Sequence, residues 1–123
     1  MQKVGFSTGI FDNFMKKIDI KKPNEYHINE KDKLLINYLK LQALSSECTL
    51  ESFKFTTIKY RDRINQSAIV KICVSILEIF ALLKFSKLLE AITSTILTQT
   101  LCEKENFQIG IGFCLICRSI LYQ

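Results

Sequence analysis

One proline, four glycines and one histidine are all that 123 residues contain of these types. Each scarcity excludes something. With Pro23 alone, no proline-rich linker divides the chain, and no repeat or low-complexity stretch does so either. The length fits a single domain, one large enough to bury roughly 60–70% of its unfolded surface without staples. A lone histidine, His27, leaves no Ser/His/Asp arrangement, and no paired carboxylates stand out. No catalytic residue is therefore assigned, and a non-enzyme without a cofactor is expected. Gly110 and Gly112 lack the third glycine and the following helix of a dinucleotide fingerprint.

Long hydrophobic runs are missing too. The most apolar stretch, "AIVKICVSILEIFALL" from Ala68 to Leu83, has 16 residues, where a membrane span needs about 20. A span there would carry Lys71 and Glu78 into hydrocarbon, at a few kcal/mol each. Residues 107–122 run apolar only as far as Arg118, and the first 22 residues lack the continuous apolar core of a secretory signal. No membrane partner is expected; a helical membrane-associated protein is kept as an alternative.

Five cysteines are present: Cys48, Cys73, Cys102, Cys114 and Cys117. Their odd number and irregular spacing do not form a disulfide framework, and they point to a reducing, cytoplasmic compartment. Cys114-Leu-Ile-Cys117 has the C-x-x-C spacing, but a zinc site needs four ligands. The apolar pair between the two thiols suits a buried element, so no metal is assigned.

The net charge is +5, and +4 of it lies in residues 1–66. A solvated lysine-rich surface accounts for this, and contact with nucleic acid or an acidic protein stays open. Phe6, Ile10, Phe11, Phe14 and Ile18 recur at helical spacing near Lys16, Lys17, Lys21 and Lys22. This gives an amphipathic N-terminal arm over 1–25, which packs on the domain's own core or contacts a membrane or partner. Pro23 marks the boundary to one compact domain at 26–123.

Within that domain Asn29 caps a helix at 30–42, with Glu30 and Asp32 in its first turn. Leu50, Phe53 and Phe55 fit a short strand or a short helix. "TTIKYRDRINQS" is a charged link. The next helix starts after Ser67, and Lys71, Ser75 and Glu78 form a narrow polar stripe along it. Phe85 interrupts that stripe, so the helix ends or kinks at 83–86. "TSTILTQTL" is β-branched and predicts a strand at 93–101. In "FQIGIGF" Phe107, Ile109, Ile111 and Phe113 alternate strictly, predicting a second strand at 107–113 whose bare glycine face admits another backbone. The pair reads as a β-hairpin. Helix, short element, apolar helix and hairpin is the order of a winged helix, so the expected class is α+β, small and winged-helix-like. An all-α interaction domain, one apolar helix wrapped by amphipathic ones, is the alternative.

"HINEKDKLLINYLK", "TLESFKF" and "RDRINQSAIVKICVSILEIFALLKF" resemble the C-terminal winged-helix domain of kleisins, closest to the bacterial segregation and condensation protein A. Within the long helix Ile69, Val70, Val74, Leu77, Glu78, Ile79 and Leu82 carry the pattern. The resemblance spans 27–111. It implies a non-enzymatic module that docks on a larger protein, the ATPase head of an SMC protein, in chromosome segregation and condensation. The tail "FCLICRSILYQ" is additional to it.

Two sets of residues follow as candidates. Leu82, Phe85, Leu89 and Ile92 fall near one face, and with Gly110 and Gly112 they form the expected partner-binding surface. Lys84, Lys87 and Glu90 would rim it. The other reading is that these side chains complete a monomer's core. Lys54, Lys59, Arg61 and Arg63 are the nucleic-acid-binding alternative, able to touch phosphates. The helix behind them offers only Lys71, Ser75 and Glu78 for base edges, too few polar groups for sequence readout.

Overall fold

The computed structural model describes residues 8–21, 28–45 and 47–122, and among them every regular element is a helix. Phe6, the boundary at Pro23 and His27 lie outside the described residues. In chain order the helices are α1 (Thr8–Lys21), α2 (Glu30–Leu44), α3 (Leu50–Lys59), α4 (Arg61–Asn65), α5 (Ala68–Lys84), α6 (Leu88–Lys104) and α7 (Gln108–Leu121).

α2, α3 and α5 start at side-chain caps. Asn29 Oδ1 accepts from the Asp32 amide at 2.8 Å, Thr49 Oγ1 from Ser52 at 3.0 Å and Ser67 Oγ from Val70 at 3.4 Å. Each satisfies an amide that the helix itself leaves unpaired. The Thr49 cap decides the ambiguous segment at 50–55: it is helix α3, with Phe53 inward.

α5 is the centre. Eleven of its 17 residues are buried, on all sides but the narrow stripe of Lys71, Ser75 and Glu78. A helix apolar nearly all round must be enclosed by others. Here α2, α3, α4 and α6 pack on it, α7 lies on α6, and α1 lies on α7. Burying a side chain such as Leu77 or Phe80 contributes roughly 1.5–3 kcal/mol. α1 is part of this core, because Phe11, Phe14 and Ile18 are buried in it. Phe11 meets Phe80 edge-on at 6.2 Å, and Phe14 meets Phe107 at 6.1 Å and Phe113 at 5.0 Å between ring centroids. These rings join α1, α5 and α7.

The expected α+β fold is not adopted. Residues 93–101 and 107–113 form neither a hairpin nor a wing: the first lies within α6, and most of the second opens α7. Strand propensity spans only about 1 kcal/mol and yields to burial. The threonines of α6 fit a helix because their hydroxyls back-bond to carbonyls one turn earlier. Thr98 donates to Ser94 O at 2.7 Å, Thr95 to Ile92 O at 2.7 Å and Thr100 to Ile96 O at 3.0 Å. Burying Thr95 and Thr98 thus strands no polar group. In α7 the alternation over seven residues is subordinate to a longer helical period: Gly110, Cys114 and Cys117 are the buried set. Gly110 therefore serves a helix–helix contact, not a sheet face.

Both joints in α5–α6–α7 have the same construction. After α5, Ser86 adopts φ 59°, its amide donates to Leu83 O at 3.0 Å, and the Lys87 amide donates to Leu82 O at 2.8 Å. After α6, Asn106 adopts φ 55°, its amide donates to Glu103 O at 3.1 Å, and the Phe107 amide donates to Cys102 O at 2.8 Å. Each is a left-handed helix stop of the Schellman kind. The first falls at 83–86, where the polar stripe of α5 fails.

Candidate functional site

Three helices leave an open cleft of about 340 Å³ between them. α5 supplies Glu78 and Leu82, α6 supplies Leu89, Glu90, Ser94 and Leu97, and α3 contributes Lys54. Helical spacing explains the set: Glu78 and Leu82 are one turn apart on α5, and Leu89, Thr93 and Leu97 succeed each other at one-turn steps on α6.

The chemistry is an apolar surface around a sheltered carboxylate. Leu89 is 81% exposed and Leu97 66%, while Leu82 is buried. Neighbouring Leu88 and Ile96 on α6 are also exposed. Burial pushes the Glu78 carboxyl above its usual range; the nearby Lys54 ammonium and Ser94 pull the other way, and Glu90 adds to the rise. The cleft therefore holds two carboxylates against one ammonium.

The expected partner-binding residues are thus divided. Leu82 and Leu89 meet in the cleft. Phe85 sits at the α5 stop, 37% exposed, and Ile92 is half-buried on α6. Gly110 and Gly112 are on α7, away from these residues' cleft. A β-carbon on Gly110 would stand 2.5 Å from Cys102 Sγ, so this glycine is a packing residue, whereas Gly112 faces open space. Lys84, expected at the rim, is turned inward. Its ammonium donates to the carbonyls of Gln42 (3.0 Å), Ser45 and Cys48 (3.4 Å), tying α5 to the α2–α3 connection. No periodicity signalled Leu97, Ser94 or the role of Lys84; they are brought in by the α5–α6 turn.

The four basic candidates do not share one face. Lys54 lines the cleft beside Glu78, while Lys59 lines another hollow and stands 5.5 Å from the Tyr60 ring centre. Arg63 Nε pairs with Asp32 Oδ1 at 3.0 Å, and Arg61 is exposed. A surface that tracks phosphates needs its cations side by side.

All five cysteines are thiols. Cys114 and Cys117 lie one turn apart on α7 and both are buried. Burial pushes the Cys117 thiol up to about 12. The neighbouring Cys114 thiol, with burial, holds the Cys102 thiol above its ordinary range, while Cys102 pulls the Cys114 thiol below its own. Buried, protonated thiols such as Cys102 and Cys117 are poor nucleophiles. Among the described residues, no three His, Cys, Asp or Glu side chains are placed to hold a metal, and no helix is long and apolar enough to cross a membrane.

No protein-family model matches the chain, and neither a curated protein nor a solved structure is significantly similar to it.

Proposed function

We propose that this chain is a non-enzymatic helical interaction module, and that its α3–α5–α6 cleft receives a segment of a larger protein. The segment presents apolar side chains and one basic group. The observation that carries this reading is Leu89 and Leu97 standing exposed above the sheltered Glu78 carboxylate. Exposed leucines in a row cost solubility unless something covers them, and an interface combines an apolar centre with a polar rim. Glu90 and Lys54 provide that rim. A basic side chain from the partner would favour the charged form of Glu78 that burial disfavours.

The kleisin resemblance named an SMC ATPase head as partner. That implication leaned on a wing, and residues 93–113 are helical apart from the α6–α7 turn. The proposal rests on the cleft alone, and an SMC head enters its test as a defined bait. Nucleic acid is not proposed, because the basic candidates are dispersed.

Affinity capture with the full chain tests the reading. Leu89→Ala with Leu97→Ala should lower recovery of the specific partner at least tenfold while the melting temperature holds. Phe85→Ala, outside the cleft, should leave recovery intact. If the leucine pair captures as well as the parent chain, the cleft is not the interface. If the pair unfolds the domain, those side chains are core.

A further inference from the structure

A second cleft lies on another part of the molecule, between α1 and α7. It is a half-open trough of about 370 Å³. α7 contributes Ile109, Gly112, Phe113, Ile116 and Cys117 at helical spacing, and α1 contributes Ile10, Phe14, Asn13 and Lys17. Phe14 and Cys117 are buried and form its floor. Gly112 leaves room in the wall: a β-carbon there meets nothing within 4 Å. Lys17 is the one charged residue in the lining, it is exposed, and it has no ion pair among the described residues.

We propose that this cleft binds a single-chain amphiphile with an anionic head, a carboxylate of the fatty-acid class. The tail lies along Phe14, Phe113 and the bare wall at Gly112, and the carboxylate reaches Lys17 and Asn13. Charge fixes the head: an apolar trough with one lysine complements one negative charge and repels a cationic amphiphile. Volume fixes the tail. Ligand sites start at about 300 Å³. At about 30 Å³ per water-sized group, 370 Å³ holds about a dozen methylenes, which is one chain and not the two of a bilayer phospholipid. This site is independent of the α3–α5–α6 cleft.

Titration calorimetry on the full chain tests it, with decanoate, dodecanoate and tetradecanoate, each below its micelle concentration. Affinity should rise about fourfold per added methylene and level off near twelve carbons. Dodecyltrimethylammonium should bind at least tenfold more weakly than dodecanoate, and Lys17→Gln should weaken dodecanoate severalfold. Gly112→Leu fills the trough and should reduce binding at least tenfold while the melting temperature holds. Should that variant lose helicity, Ile116→Asp at an already exposed position carries the same expectation. Absence of dodecanoate binding overturns the proposal, as does unchanged binding in the filled variant or equal binding of the cationic analogue. Binding to phosphatidylglycerol vesicles without binding to monomeric dodecanoate would make the trough a membrane-docking surface and equally overturn it.

Discussion

Gly110 packs against Cys102 so closely that α7 can seat on α6 only without a side chain there: an added β-carbon would lie 2.5 Å from Cys102 Sγ and 2.7 Å from the Phe107 ring. Two positions further on, Gly112 has space. The same substitution should therefore have opposite signs. Gly110→Ala is expected to destabilise by about 1–2 kcal/mol, overpacking outweighing the helical gain. Gly112→Ala should stabilise by about 0.5–1 kcal/mol. Urea denaturation of both variants checks this, and equal shifts would mean that the α6–α7 contact is looser than described.

Ser86 sits at positive φ in the α5–α6 turn, a region that disfavours side chains other than glycine and, less so, asparagine. Ser86→Gly should raise stability by about 1 kcal/mol, whereas Asn106→Gly in the α6–α7 turn should gain less. Chemical denaturation midpoints for the pair decide it. A loss at Ser86→Gly would show that the turn is not left-handed in solution.

Lys84→Met keeps the aliphatic stem but removes the donor that the carbonyls of Gln42, Ser45 and Cys48 share. Unsatisfied carbonyls in a part-buried site cost about 1–3 kcal/mol. The expected local signature is faster amide exchange at the end of α2, with the α6–α7 region less affected. Uniform acceleration along the whole chain would contradict a local clamp.

Glu78 gives a pH dependence. Its folded-state carboxyl titrates above the ordinary value of 4.5 because burial disfavours the charge. In the window above 4.5 the native state therefore holds more proton than the unfolded chain, and stability falls as pH rises through it. Below that window the term vanishes. Glu78→Gln should then be more stable than the parent at pH 7 and lose this advantage in acid. Denaturation midpoints from pH 4 to pH 7 measure the difference; a variant less stable at pH 7 would show that the charge is favoured by Lys54 and Ser94 more than burial opposes it.

Much of α2 and α5 was legible in the sequence. Asn29 with Glu30 and Asp32 announces the first, and the failure of the Lys71–Ser75–Glu78 stripe at Phe85 marks the end of the second. Residues 93–113 were misread because two local signals, β-branching and alternation, outweighed a longer period. The buried set Ala91, Ser94, Thr95, Thr98 and Cys102 keeps helical spacing throughout α6, but all five members are small or polar, so it carries little hydrophobic signal. The cleft was half legible. Leu82 and Leu89 were named, but their meeting with Ser94 and Leu97 depends on a reversal of direction at Ser86, which is set by a backbone conformation and not by any periodicity. Gly110 was expected to admit another backbone across a sheet face; in the helix it makes room for the Cys102 and Phe107 side chains instead.

The two helix stops at Ser86 and Asn106 also shape how the chain finds its structure. They make α5, α6 and α7 neighbours in sequence as well as in space, so most of their contacts close short loops, a topology of low contact order that favours rapid folding. The Phe14–Phe107 and Phe14–Phe113 ring contacts are the opposite case: they join α1 to α7 across nearly the whole described chain. Loop closure makes such contacts costly to form early. The expected order is collapse of the α5–α6–α7 zigzag first and docking of α1 last, so that rings on α1 should have low φ-values while α5–α6 packing has high ones.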